Sequence, residues 1–188
     1  FMPTPSIDTP TEVIINVEKH TSILINGCNE YTFYVNGQEY KKLPLDANVR
    51  EPNIAKSRPY KDMILTLQDN PSDFFENNLG ISVVASDVEE LSSKNNKERF
   101  KIVFKSGTGI LNGGHTQQAI LDSQTNPNIS NAIVKIVVRK KNYSLTRIAA
   151  IAAAQNSSTA VKEYTLAEKK GLFTQIKKNM DCNYEKHI

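Results

Sequence analysis

The chain has 188 residues, 39% of them hydrophobic and 23% charged, which is the composition of one ordinary globular domain that buries a real core. Its longest apolar run, residues 148–154, is far too short to cross a bilayer. No basic and apolar leader opens the sequence, so we expect a cytoplasmic protein without a membrane partner. Two distant cysteines and three scattered histidines lack metal-ligand spacing, which argues against a zinc site.

Charge is unevenly distributed along the chain. The formal net charge is +3, but the segment from Lys135 to the end holds 11 Lys/Arg against 4 Asp/Glu, whereas the rest holds 12 against 16. A basic end is compatible with binding a polyanion such as DNA or RNA. It is equally compatible with helices whose outer faces are simply solvated, so both interpretations stay open here.

The first 42 residues are predicted to form an extended arm and a small β-meander. Residues 1–11 contain three prolines, and residues 13–17 (VIINV) have the composition of a strand. Two Asn-Gly pairs then separate the apolar stretches of residues 22–42, which is typical of β-hairpins. We assign residues 1–42 to this N-terminal segment and residues 43–188 to the main domain.

The main domain is predicted to have an α/β or α+β fold. Residues 60–67 and 71–76 have helical spacing, and residues 92–98 (SSKNNKE) are expected to be a polar hairpin connection. Two further helices, residues 145–155 and a second from residue 165, are expected to close the chain, with a polar link between them. The strands expected in one mixed sheet are residues 81–85, 100–104, 110–111 and 132–138.

The stretch from Gly109 to Ile120, GILNGGHTQQAI, carries the pattern that is richest in chemistry. A short apolar strand ends at Asn112, two glycines allow a sharp turn, and a helix follows from about Thr116. A strand, a glycine turn and a helix start together aim backbone N–H groups and a positive helix end at an anion. The pattern therefore predicts a phosphate cradle. The alternative is a tight turn whose polar residues only cap the helix, because a glycine pair is a weak motif.

The strand of residues 132–138 that follows this helix predicts a right-handed crossover. Such a crossover would put the glycine turn at the carboxyl edge of a parallel sheet, where ligand sites of α/β proteins tend to lie.

Four strings occur here in an order that resembles the AIPR family, named for abortive-infection phage resistance. The strings are LPLDANVR, DMILTLQDNPSDFFENNLGISVVA, GILNGGHTQQAI and IAAIAAAQNSSTAVKEYTLAEKKGLFTQI, and they span residues 43–176. The family's central motif is like Asn-Gly-x-Gln-Thr, where this chain has Asn112-Gly113-Gly114-His115-Thr116. Its later Ala-x-Asn-x-Gln motif is matched at residues 154–158, with Ser158 in place of the glutamine.

A more distant similarity is to DGQHR and ParB/sulfiredoxin-like domains, in which an Asn-x-Arg segment and a glycine turn bind nucleotide phosphates. Asn48-Val49-Arg50 and the glycine turn occupy comparable places in this sequence. Thr116 stands where that group has an arginine, so a charged, bidentate contact is missing at this position.

The resemblance implies one domain of a longer bacterial phage-defence protein, with a nucleotide or a DNA or RNA phosphate as its ligand and no cofactor or metal. Asn112 and the two glycines would hold the phosphate, and arginines would add positive charge. The ligand-binding residues predicted in this way are Asn48, Arg50, Asn77, Asn78, Asn112, Gly113, Gly114, Thr116, Gln117, Arg147, Gln155 and Asn156.

Two other functions stay open. In the first, the chain is a phosphoesterase or nuclease that uses His115 as an acid or base. No carboxylate cluster beside the motif would hold a catalytic metal. In the second, the chain is a non-catalytic protein-interaction domain. Convergence of the asparagines and Arg50 on one cleft would favour ligand binding over this last function.

Overall fold

A computed structural model describes residues 9–47 and 57–169 of the chain, with side chains as far as residue 157. The chain divides into two compact units, residues 1–152 and residues 153–188. The elements in chain order are β1 (Thr11–Val17), β2 (Lys19–Ile25), β3 (Cys28–Asn36), α1 (Arg58–Asp69), α2 (Phe74–Asn77), β4 (Ile81–Ala85), β5 (Asp87–Lys94), β6 (Lys97–Phe104), β7 (Gly109–Asn112), α3 (Gly114–Asp122), β8 (Ile133–Lys140) and α4 (Leu145–Lys169). Short 3-10 turns cover Pro71–Asp73 and Ile129–Asn131.

The described strands form two sheets. A five-stranded mixed sheet has the order β2-β3-β8-β4-β7, in which β4 and β8 run parallel and the other neighbours are antiparallel. A three-stranded antiparallel sheet has the order β1-β6-β5. The expected mixed α/β fold is therefore confirmed, and the β2–β3 hairpin lies at one edge of the larger sheet.

Strand β6 belongs to a different sheet from the one expected. Residues 100–104 were expected in the mixed sheet, but they pair with β1 and β5 in the other sheet. Alternating apolar residues indicate one buried face, and they carry no information about which strands become neighbours. Residues 87–94 form strand β5, so the first part of the polar connection expected over residues 92–98 belongs to a strand. Its exposed residues hide the strand pattern, and the hairpin turns only at Asn95 and Asn96, whose φ angles are 54° and 60°.

The third strand of the predicted meander is absent from the described structure. Residues 40–45 have no regular secondary structure, although Tyr40 and Leu43 are buried. They run instead beside β7 and α3, where a backbone bond of 2.8 Å joins the Ile110 N–H to the Pro44 carbonyl.

The two sheets share one hydrophobic core. The Phe33 ring of β3 lies 4.7 Å from the Phe100 ring of β6, centroid to centroid, and α1 and α3 add buried side chains to the same cluster. Ion pairs also join the sheets at their margins. Lys140 of β8 contacts Asp87 of β5 at 2.5 Å. The sheets are thus held together both by apolar burial and by charge pairing at the rim.

The glycine turn lies at the opposite edge of the sheet from the one expected. Strand β7 is antiparallel to β4, whereas β4 is parallel to β8, so β7 and β8 run in opposite directions. The predicted right-handed crossover from β7 to β8 is therefore wrong. Asn112 pairs with Ser82 near the start of β4, which puts the turn at the amino edge of β4. A four-residue apolar run predicts a strand but not its direction.

Helix α4 is continuous from Leu145 to Lys169, so the polar link predicted between two closing helices is wrong. The Ser144 hydroxyl accepts a bond from the Arg147 N–H at 3.2 Å and caps the helix start, as serine does at many N-caps. Ile148 and Ala152 pack with Leu111 on the face of the sheet away from the main core. Within the described residues, no helix has the length and hydrophobicity needed to cross a membrane.

Candidate functional site

Gly113 forms the corner between β7 and α3. Its backbone is left-handed, with φ 106° and ψ 17°. A Cβ atom placed there would lie 2.9 Å from the Ile81 Cα and 3.0 Å from the Gly80 carbonyl oxygen. Both the backbone angle and the close approach of β4 therefore require glycine at this position.

Helix α3 begins without a side-chain cap. Its first described backbone bond joins the Gln117 N–H to the Gly113 carbonyl at 3.0 Å. In the part of the chain that the structure describes, no side chain accepts a bond from the N–H groups of residues 114–116. Such N–H groups carry the positive end of the helix dipole and can bind an anion. Gly114 itself is buried.

Thr116 is tied to Asn78 rather than pointing out of the turn. The Asn78 amide donates to the Thr116 hydroxyl oxygen at 3.2 Å and to the Met63 sulfur at 3.1 Å. The Asn78 side-chain oxygen accepts from the Gly80 N–H at 2.8 Å. Thr116 is only 5% exposed, so these contacts join α3 to the loop before β4. The structure thus brings Thr116 and Asn78 together, as a support beneath the turn.

Gln117 is also used inside the protein. Its side-chain oxygen accepts from the Tyr40 hydroxyl at 2.7 Å and from the Leu43 N–H at 2.8 Å. Its amide donates to the Leu43 carbonyl at 3.1 Å. Burial raises the pKa of Tyr40 well above its ordinary value, so this hydroxyl stays a donor. Gln117 therefore connects α3 to residues 40–43 from a site that is 2% exposed.

His115 and Asn112 are the polar side chains of the motif that stay half-exposed at the turn. Burial lowers the pKa of the His115 imidazole, which favours its neutral form near pH 7. A neutral imidazole can donate one hydrogen bond and accept another. Together with the N–H groups of α3, the imidazole offers hydrogen bonds to an oxyanion.

The other predicted ligand residues have different positions. Asn77 is exposed at the end of α2, next to Asn78. Arg147 is exposed in the first turn of α4. Its charge acts on Tyr143, beyond the carboxyl end of β8, so Arg147 lies at the other edge of the sheet from the glycine turn.

Four further predicted ligand residues lie outside the described part of the unit that contains the turn. Asn48 and Arg50 lie outside the described residues. Gln155 and Asn156 lie in α4, within the unit of residues 153–188. Their ligand-binding role stays a prediction.

Two supporting residues were not anticipated from the sequence. Tyr40 and Met63 contact the motif across 77 and 53 residues of chain, respectively, and no local pattern signals contacts over such distances. Their apolar neighbours mark them only as core candidates.

A surface cavity of about 430 Å³ lies near the far end of α3 and not at the turn. Its lining includes Tyr60, whose hydroxyl donates to the Asp122 carboxylate at 2.6 Å. That bond raises the pKa of Tyr60. Among the described residues, no group of three or more His, Cys, Asp and Glu side chains is arranged to hold a metal ion.

The family model of the AIPR proteins matches residues 45–188 of this chain, three quarters of its length. No curated protein and no solved structure shows significant similarity to it. The match confirms the resemblance drawn from the four sequence strings. It includes the glycine turn, the loop before β4 and helix α4.

Proposed function

Since this chain belongs to the AIPR family of abortive-infection phage-resistance proteins, we propose that it is a phage-defence domain whose glycine turn binds a phosphate group. The ligand is a nucleotide or a nucleic-acid phosphate. The observation that supports this proposal is the uncapped start of α3 behind a left-handed Gly113, with the half-exposed Asn112 and His115 beside it.

Each residue of the motif has its own task in this proposal. The N–H groups of residues 114–116 donate to the phosphate oxygens, and Asn112 adds a side-chain donor. His115, neutral at pH 7, donates through one ring nitrogen. The side chains of Thr116 and Gln117 do not contact the ligand, because they hold Asn78 and Leu43 in place.

No structural observation favours the phosphoesterase over simple binding. His115 makes no side-chain hydrogen bond with a described residue, so no carboxylate is seen to orient its imidazole as in nucleophile and base pairs. We therefore propose binding as the function of the turn and leave hydrolysis as an assay on any ligand that is found.

Thermal unfolding in the presence of ATP, GTP, short DNA and short RNA tests the proposal, at two salt concentrations. A ligand present at 100 times its Kd stabilises the folded state by about 2.7 kcal/mol, which is several degrees in Tm for a chain of this size. We expect a nucleotide to raise the Tm of the wild type, and Asn112→Ala and His115→Ala to remove most of that rise.

Asn128→Ala is the matched control, because Asn128 is exposed and its side chain caps nothing. It should keep the full ligand-induced rise. The proposal is overturned if no phosphate ligand shifts the Tm, or if the shift survives in both turn variants. A shift produced by nucleic acid alone, strongly reduced by salt and unchanged in both variants, would place binding on the basic part of the chain instead.

A further inference from the structure

A segment without regular secondary structure lies against α3, and two glutamines hold it there. We name this segment, Gly37–Ala47, the strap. The Gln124 amide donates to the Gly37 and Tyr40 carbonyls, each at 3.0 Å. Gln117, seven residues earlier, bonds the Leu43 N–H and carbonyl. Side-chain amides thus replace the backbone ladder that a paired strand would have.

The strap leads from the N-terminal hairpin toward the glycine turn. Its Pro44 carbonyl accepts from the Ile110 N–H, and a Cβ on Gly109 would lie 2.4 Å from that same oxygen. Ala47 at its end is 6% exposed and packs in one cluster with Leu111, the residue before Asn112. The strap and the turn are therefore neighbours through β7 as well as through α3.

Gln117 is suited to this place because its amide is both donor and acceptor. Leu43 is buried and presents one N–H and one carbonyl to it, and both need partners. A leucine would leave both backbone groups unsatisfied, and a charged glutamate would leave the carbonyl without a donor. A side-chain amide at position 117 therefore satisfies both backbone groups of Leu43.

We infer that Gln117 is a positioning residue that locks the strap to the first turns of α3, so that the glycine turn keeps its ligand-binding geometry only while Leu43 is held. Where this concerns the ligand, it rests on the phosphate-binding function proposed above. The order of the turn is then coupled to the order of a segment about 70 residues earlier in the sequence.

Backbone hydrogen exchange on the full chain tests the coupling without any ligand. In Gln117→Leu we expect exchange at Leu43, and at Gln118 and Ala119 whose N–H groups close the first turn of α3, to rise about tenfold or more, because an unsatisfied buried pair favours local opening. Gln124→Leu is the matched control, since it frees the strap at Gly37 and Tyr40, farther from the turn. It should leave exchange at Gln118 and Ala119 unchanged.

The conservative variant Gln117→Glu gives a second readout. At low pH a protonated glutamic acid can donate to the Leu43 carbonyl, so exchange at Gln118 and Ala119 should return toward the wild-type rate. A glutamate that only filled space would show no such pH dependence relative to Gln117→Leu. Equal exchange at the turn in the wild type, Gln117→Leu and Gln124→Leu would overturn the inference.

Affinity for ATP separates this inference from the proposed function. If the wild type binds ATP, Gln117→Leu should weaken binding about tenfold or more, and Gln124→Leu should not. An unchanged ATP affinity in Gln117→Leu would also overturn the inference. If the wild type binds no phosphate ligand, the proposed function fails, and the exchange rates alone decide whether Gln117 couples the strap to the turn.

Discussion

Two structural features require glycine at position 113. Its φ of 106° lies outside the range that side chains tolerate easily, and its α-carbon faces the backbone of Gly80 and Ile81 at close range. The effects of a methyl group at this position should therefore exceed those of backbone strain alone.

Gly113→Ala should lower the free energy of unfolding by about 2–3 kcal/mol, through left-handed strain and the contact with Ile81. Gly27→Ala is the control, because Gly27 also has a positive φ of 69° but nothing lies within 4 Å of an added Cβ. It should cost about 1 kcal/mol. Urea unfolding measures both values. Equal losses would mean that β4 does not press on the turn.

His115 should make stability depend on pH. Its pKa is lowered in the folded state by burial, so below its ordinary value of 6.5 the unfolded chain takes up the proton more readily. The stability of the wild type should therefore fall as the pH drops from 7 to 5, by more than in His115→Gln. Denaturant titrations at several pH values give this difference, and parallel profiles would contradict it.

The glycine motif shows which features of the site can be predicted from the sequence and which cannot. The pattern Asn-Gly-Gly-His-Thr-Gln predicts the turn correctly, because glycine conformations and helix starts are local properties. It does not reveal that Thr116 and Gln117 are buried, since Asn78 and Leu43 reach them from 38 and 74 residues away. From the sequence alone, the four polar residues of this motif look equally available for a ligand.

Among the secondary-structure elements, a charged side chain joins the hairpin β5–β6 to the corner between β1 and β2 and to the strap. The Lys97 ammonium at the start of β6 contacts the Glu18 carboxylate at 2.6 Å and also contacts Glu39. The Lys97 bond lowers the pKa of Glu18, and both carboxylates raise the pKa of Lys97. The pairing of Glu18 with Lys97 therefore stabilises the fold fully between about pH 4.5 and 10.5, the ordinary pKa values of these two groups.

Lys97→Met should lower the unfolding free energy by about 1 kcal/mol at pH 7, a small value because solvent screens these partly exposed pairs. The loss should shrink below pH 4.5, as Glu18 takes up a proton in the folded state. Lys94→Met, at an exposed lysine of the same hairpin without a described ion pair, should change little. A loss that stays constant down to pH 3 would assign it to packing instead.

Single elements were predicted well where their pattern is local. Strand β4 was predicted at its observed bounds, and the helix expected over residues 60–67 is observed as α1. The pairing of β6 and the direction of β7 were not predictable, because both depend on which strands meet across the fold. The continuity of α4 was missed because its polar residues 155–159 look like a loop in sequence.

Over the whole molecule, the uneven charge distribution predicts that a polyanion could also bind through the basic end of the chain. Residues 135–188 hold 11 Lys/Arg against 4 Asp/Glu. Binding of DNA or RNA through this part would weaken steeply with salt because it releases counterions. Nucleotide binding at the turn should weaken much less, since a single phosphate group neutralises few charges. Titrations between 50 and 200 mM salt separate the two, and equal slopes would mean that one surface binds both.

Phosphate binding at the amino end of α3 is the main function that we propose. Amide chemical shifts recorded during an ATP titration of the full chain test it most directly, because each backbone N–H reports on its own surroundings. We expect the largest shifts at residues 112–116, with smaller ones at Asn78 and Gly80, which support the turn. Shifts concentrated elsewhere, or none at millimolar ATP, would contradict the account.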